Sequence, residues 1–160
     1  VDLSAVYLVE TRDLAHLREL IGGGDLLARI SEDVATLDDI KIKETERVYL
    51  FVDKGEVLGF FLVCWLGVVT VQLHINILKE HRRRAMECAR VMHHFLLSET
   101  DIEKAIAEVP VIFPEVCKFV ECNKWKKEGV NRASLLKNGV MVDQNYYGIT
   151  RAELAELVGQ

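Results

Sequence analysis

Three consecutive arginines, Arg82, Arg83 and Arg84, stand where an apolar strand gives way to a helical stretch. Cations at a helix start oppose the positive end of the backbone dipole, so the run points to an anionic partner, with a solvated basic turn as the plain alternative. Guanidinium groups pair well with phosphate oxygens. The strand before them, Val68 to Leu78, carries no acid, and its one titratable side chain is His74. An imidazole titrates near neutral pH, which suits a proton acceptor; a surface or structurally hydrogen-bonded histidine is the competing reading. His93 and His94 are adjacent, cannot share a helix face as ligands would, and are read as structural. Cys64, Cys88, Cys117 and Cys122 form no CxxC pair, and Cys117 and Cys122 lie five apart, off metal-ligand spacing. They read as small buried residues of a protein in a reducing cytoplasm, and no metal site is expected. Neither a nucleophile elbow, a Walker loop nor a zinc signature is present.

The 160 residues that must position these groups suit a single domain, residues 1–160, large enough to bury a core. Half are apolar and 28% charged, as in ordinary globular proteins. The net charge of −5 argues against general nucleic-acid binding, which needs a positive surface. The apolar window Val57 to Leu78 is interrupted by Gly59, Gly67, Gln72, His74 and Asn76, so it reads as successive strands and no membrane span is expected. The start, Val1-Asp2-Leu3, shows no signal-peptide pattern and no initiator Met, which suggests a trimmed or replaced N-terminus.

Ala5 to Val9 alternates as a first strand. Thr11 is read as the cap of a helix carrying Leu14, Leu17, Leu20 and Ile21, stopped by Gly22-Gly23-Gly24. A short helix over Asp25 to Ile30 follows, then an irregular segment to Glu46. Arg47 to Val52 and Val57 to Trp65 are strands joined by the turn Asp53-Lys54-Gly55-Glu56. In the next strand Val69, Val71, Leu73, Ile75 and Ile77 share one face, and Thr70, Gln72, His74 and Asn76 the other. Arg84 to Leu97 has strong helical periodicity, Ile102 to Val109 alternates, and Pro114 opens another helix that ends before Trp125. Ala133 to Lys137 and Val140 to Tyr147 form a hairpin about Asn138-Gly139, and Thr150 with Glu153 makes a capping box for a last helix. Hairpins followed by strand–helix–strand crossovers predict an α/β (α+β) fold, a mixed, mostly antiparallel sheet of six to seven strands with helices on both faces.

That order resembles the GNAT superfamily of acyl-CoA-dependent N-acetyltransferases. The C-terminal part is most similar to the ribosomal-protein alanine acetyltransferase branch: Trp125, Glu128 and Gly129 match its turn after the fourth helix, Asn138-Gly139 its hairpin, and Asp143, Tyr147-Gly148 and Glu153 its ending. The resemblance implies acetyl-CoA as cosubstrate and a primary amine, on a protein or small molecule, as acceptor. In that family the pantetheine arm lies where two strands splay, and a glycine-rich loop offers backbone N–H groups to the pyrophosphate. Here the resemblance assigns Arg82, Arg83, Arg84 and Ala85 to the pyrophosphate, Ile75 to the pantetheine and the Ile77 N–H to the thioester. The loop is degenerate, with Ala85 at its first glycine and Glu87 at its second small position. His74 becomes the candidate base, and Tyr146 and Tyr147 the fallback acids, because Val120 stands where the family often has its tyrosine. Lys124 replaces the glycine of the family's turn. The rival reading is an inactive fold kept as a binding or structural module, of the kind found in phage or mobile elements, or an acyl-CoA or nucleotide sensor. A homodimer or a protein partner is left open.

Overall fold

The computed structural model describes residues 5–160. Val1 to Leu3, on which the reading of the N-terminus rests, lie outside the described residues. Seven strands form one sheet in the order β1-β2-β3-β4-β5-β7-β6, which agrees with the expected mixed sheet. The chain divides into two compact units, one of Val1–Cys64 and Leu73–Met92, the other of Trp65–Gln72 and His93–Gln160.

In the first unit β1 (Tyr7–Thr11) pairs antiparallel with β2 (Glu46–Asp53), and β2 with β3 (Glu56–Trp65). The strand starts two residues later than expected, and Asp13, not Thr11, caps α1 (Leu14–Gly22). The reason is local: the Asp13 carboxylate accepts the His16 N–H at 3.0 Å, while Thr11 closes the strand and accepts the Asp13 N–H. The first glycine of the run ends α1, and Gly23 follows as its C-cap. After α2 (Leu26–Ile30), the irregular segment holds one 3-10 turn, Leu37–Asp39, where the Thr36 N–H donates to the Asp39 carboxylate. Leu17, Ile21 and Leu26 pack on Val48, Leu50, Val52 and Phe60, the apolar stripe of the helices closing on one face of the strands. On the buried alternate positions Phe61 packs against Tyr49 and Phe51, with ring centroids 5.0 and 5.3 Å away. Lys54 and Gly55 take φ of 50° and 80°, the paired left-handed conformation of the expected hairpin turn.

β4 (Thr70–Ile77) begins later than the apolar run suggested. Leu66 and Gly67 N–H groups both reach the Thr70 carbonyl, so Val68 and Val69 belong to the turn and are exposed. In its first-unit part, β4 comes close to β3: the Leu78 N–H donates to the Leu58 carbonyl at 2.9 Å. A Cβ on Gly59 would lie 2.8 Å from the Ile77 Cα, so only glycine allows this approach. The arginine run forms a 3-10 turn, Lys79–Arg84, leading into α3 (Ala85–Glu99).

In the second unit β5 (Lys104–Pro110) runs parallel to β4 over three pairs, Thr70 to Gln72 against Lys104 to Ile106. It pairs antiparallel with β7 (Val140–Thr150), which pairs with β6 (Lys126–Lys137). β6 starts seven residues earlier than expected, because Lys126 to Asn131 also pairs with β7 through one irregularity at Lys127/Gly129. Its hairpin is as read: Asn138 and Gly139 have φ of 51° and 75°. α4 (Pro114–Cys122) has proline in its first turn. It ends with the Trp125 N–H on the Val120 carbonyl and Lys124 at φ 66°, so the residue that replaces the family's glycine holds the left-handed conformation glycine favours. The capping box of α5 (Arg151–Val158) is formed by Thr150 and Glu153.

Candidate functional site

The first unit holds the arginine turn. Arg82 pairs with Asp25, the residue before α2. Arg84 donates from NH1 to Asp53 Oδ2 at 2.7 Å and from Nε and NH2 to both Glu87 oxygens at 2.8 and 3.0 Å. Asp53 Oδ1 is buried without a hydrogen-bond partner. His81 sits 3.1 Å from Glu56. Arg83 is exposed and Ala85 half-buried. The turn also bonds its own backbone, His81 N–H to Leu78 and Ala85 N–H to Arg82, where a glycine-rich loop would leave such donors outward. On β4, His74 is exposed, Ile75 half-buried and Ile77 buried. The structure therefore gathers three guanidiniums in one turn, and it sets carboxylates of the chain itself against two of them.

The second unit gathers a different group, which sequence reading missed. Glu108 lies on β5 directly across from Tyr146 of β7, so the two side chains share a face. Three carboxamides converge on its carboxylate: Gln72 Nε2 at 3.5 Å on Oε1, and Gln144 Nε2 and Asn131 Nδ2 at 3.3 and 3.4 Å on Oε2. Gln144 also donates to Ser134 Oγ at 3.2 Å. These are long bonds from neutral donors, which a short charge-assisted bond from an ammonium would outcompete. Glu108 forms no ion pair among the described residues. The available signal was a single carboxylate inside Lys104–Pro110, a strand whose other interior residues are apolar. Further along this face the Glu128 carboxylate pairs with Lys104 and lies over Gly148, where a Cβ would meet it at 2.6 Å.

Tyr147 lies on the opposite face, fully buried. Its hydroxyl donates to Glu121 Oε1 of α4 at 2.9 Å and accepts from Asn145 Nδ2 at 3.4 Å. Burial first, and the Glu121 carboxylate next, raise its pKa above the ordinary phenol value. His93 is buried on α3, and its Nε2 accepts the Trp125 indole N–H at 3.1 Å. Burial pushes its pKa down to about 4, so it is neutral and structural. Cys88 is buried, with its thiol pushed up to about 11, while Cys122 is exposed. Among the described residues no three His, Cys, Asp or Glu side chains cluster as a metal site would require. None of the helices described is long and apolar enough to cross a membrane.

No family model and no curated protein matches this sequence. Solved structures do. Spermidine N-acetyltransferase from Vibrio cholerae in complex with CoA and spermine superposes with a TM-score of 0.81 at 16% identity, covering 94% of this chain and 98% of that one. A chimera of the Vibrio cholerae spermidine N-acetyltransferase and hSSAT gives 0.80 at 18% identity, over 95% and 99%. The fold is that of the acyl-CoA N-acyltransferases. At these identities the likeness is one of architecture. Within the N-acyltransferase fold, the arginine turn follows β4 and Glu108 lies on β5.

Proposed function

We propose that this chain is an N-acetyltransferase that moves an acetyl group from acetyl-CoA to a primary amine on a protein or small molecule. The carrying observation is Glu108, a carboxylate on β5 whose hydrogen bonds among the described residues come from neutral carboxamides, which leaves its charge to meet an ammonium group. Support comes also from the N-acyltransferase fold and from structural neighbours described as spermidine N-acetyltransferases, one of them in complex with CoA. In this reading Arg82, Arg83, Arg84 and Ala85 receive the pyrophosphate, with Ile75 and Ile77 along the pantetheine and thioester. Glu108 is the proposed holder of the acceptor's ammonium group, and His74 the proposed base. The free amine then attacks the thioester carbonyl, the C–S bond breaks, the departing thiolate takes a proton from Tyr146, and the new amide nitrogen gives up its second proton to restore the phenol. Tyr146, on the face of Glu108, is the proton donor; Tyr147 gives its hydrogen to Glu121 and ties β7 to α4.

The test is acetyl transfer to a panel of primary amines, with calorimetric titration of acetyl-CoA. Glu108→Gln is expected to raise KM for the amine at least about tenfold with the Kd of acetyl-CoA unchanged, the loss of one charge-assisted bond. An unchanged KM would remove Glu108 from the site. A second reading, a binding module that has kept the fold without the coenzyme, has one observation in its favour: Arg82 and Arg84 are already neutralised by Asp25, Asp53 and Glu87. Folded protein that takes up no acetyl-CoA at millimolar concentration would select it.

A further inference from the structure

We propose that Asp25 is a latch on the arginine turn: its carboxylate holds Arg82 in the place of a ligand phosphate, and acyl-CoA binds by exchanging one anion for the other. The inference rests on the function proposed above and adds its regulation. The two arginines differ in how many carboxylates hold them. Arg84 is itself 32% exposed but is clamped by two, Glu87 and the 14% exposed Asp53, whereas Arg82 is held by Asp25. Arg82 and Asp25 are 35% and 34% exposed, open to an incoming anion.

Beside its bond to Arg82, the Asp25 carboxylate takes a hydrogen bond from its own backbone and feels the charge of Arg29. The residue precedes α2, yet its side chain makes no capping bond to that helix. The carboxylate is turned to a guanidinium 57 residues away in sequence. Its position follows Gly22-Gly23-Gly24, and a side chain at Gly24 would meet nothing within 4 Å, so the space beside the residue before Asp25 is open. Exposed Arg83, on the same turn, offers the first contact for a phosphate, and Arg82 completes it once Asp25 lets go. A polyphosphate delivers more negative charge to the guanidinium than one carboxylate, which drives the exchange.

The experiment is calorimetric titration of the full chain with CoA for four proteins: unchanged, Asp25→Asn, Arg82→Ala and the double variant. Asparagine keeps the shape and is as good before a helix, so folding is preserved, and thermal melts check it. Removing the competing carboxylate is expected to tighten CoA binding about fivefold, the scale of a half-exposed ion pair. Arg82→Ala is expected to weaken binding, and Asp25→Asn is expected to have no effect in its background. If Asp25→Asn leaves the Kd unchanged while Arg82→Ala weakens it, the latch is wrong and the coenzyme site stands. If none of the four binds CoA, the latch falls together with the N-acetyltransferase reading. If only the Asp25→Asn protein binds, the latch is supported in its strongest form.

Discussion

The Trp125 indole can donate to His93 Nε2 only while that nitrogen is unprotonated. This makes a stability prediction with a definite sign. The folded-state pKa of about 4 lies below the ordinary value of 6.5, so the unfolded chain binds more protons between those values. The contribution is fully present above pH 6.5 and is lost as pH falls toward 4, up to about 3 kcal/mol. Urea melts between pH 7 and 4.5 should show that decline, and His93→Gln should flatten it; an unchanged slope in the variant would assign the decline to other groups. Lys124 makes a second residue-scale case. Its φ of 66° costs a side chain about 1 kcal/mol that glycine avoids, so Lys124→Gly should raise the midpoint of thermal unfolding. A lower midpoint would mean that the lysine side chain contributes more than its backbone costs.

At the scale of elements, the tightest constraint is the approach of β3 to β4 at Gly59. Gly59→Ala would push a Cβ into the backbone at Ile77, and overpacking of this kind costs about 2 kcal/mol, readable as a shift in the urea midpoint. Wild-type stability in that variant would show that the strands part without cost. Elements set by adjacent residues were legible in the sequence: the Asn138-Gly139 hairpin, the Thr150 and Glu153 box, and the helical stripe of α3 each follow from a local rule. The first half of β6 was not, because it is a strand only through its pairing with β7. The site was legible in part for the same reason. The arginines are contiguous, whereas Gln72, Glu108, Asn131 and Gln144 meet only after three strands of the second unit and the start of β4 have come together. Asp25 is equally silent in sequence, since its partner is fixed by folding and not by spacing.

For the whole molecule, a ligand that binds only the folded state raises its stability by mass action. Acetyl-CoA at a hundredfold its Kd should add about 2.7 kcal/mol, an upward shift of the thermal midpoint. Absence of any shift in well-folded protein would favour the module without coenzyme. The net charge of −5 makes the arginine turn a local exception on an acidic chain. Added salt should therefore weaken CoA binding at the turn while doing little to the buried His93–Trp125 pair.

The two strands that end the sheet have one more consequence. β1 is five residues long, and β6 is divided by irregularities at Lys127/Gly129 and Asn131/Leu135, with Ala133 at φ 48° between the paired runs. A straight, unpaired strand edge is a template on which a second chain can add itself, and from there fibrils grow. Neither border offers that template for long: one is too short, and the other is kinked out of register. The irregularities of β6 thus also guard this border of the sheet against the addition of a second chain.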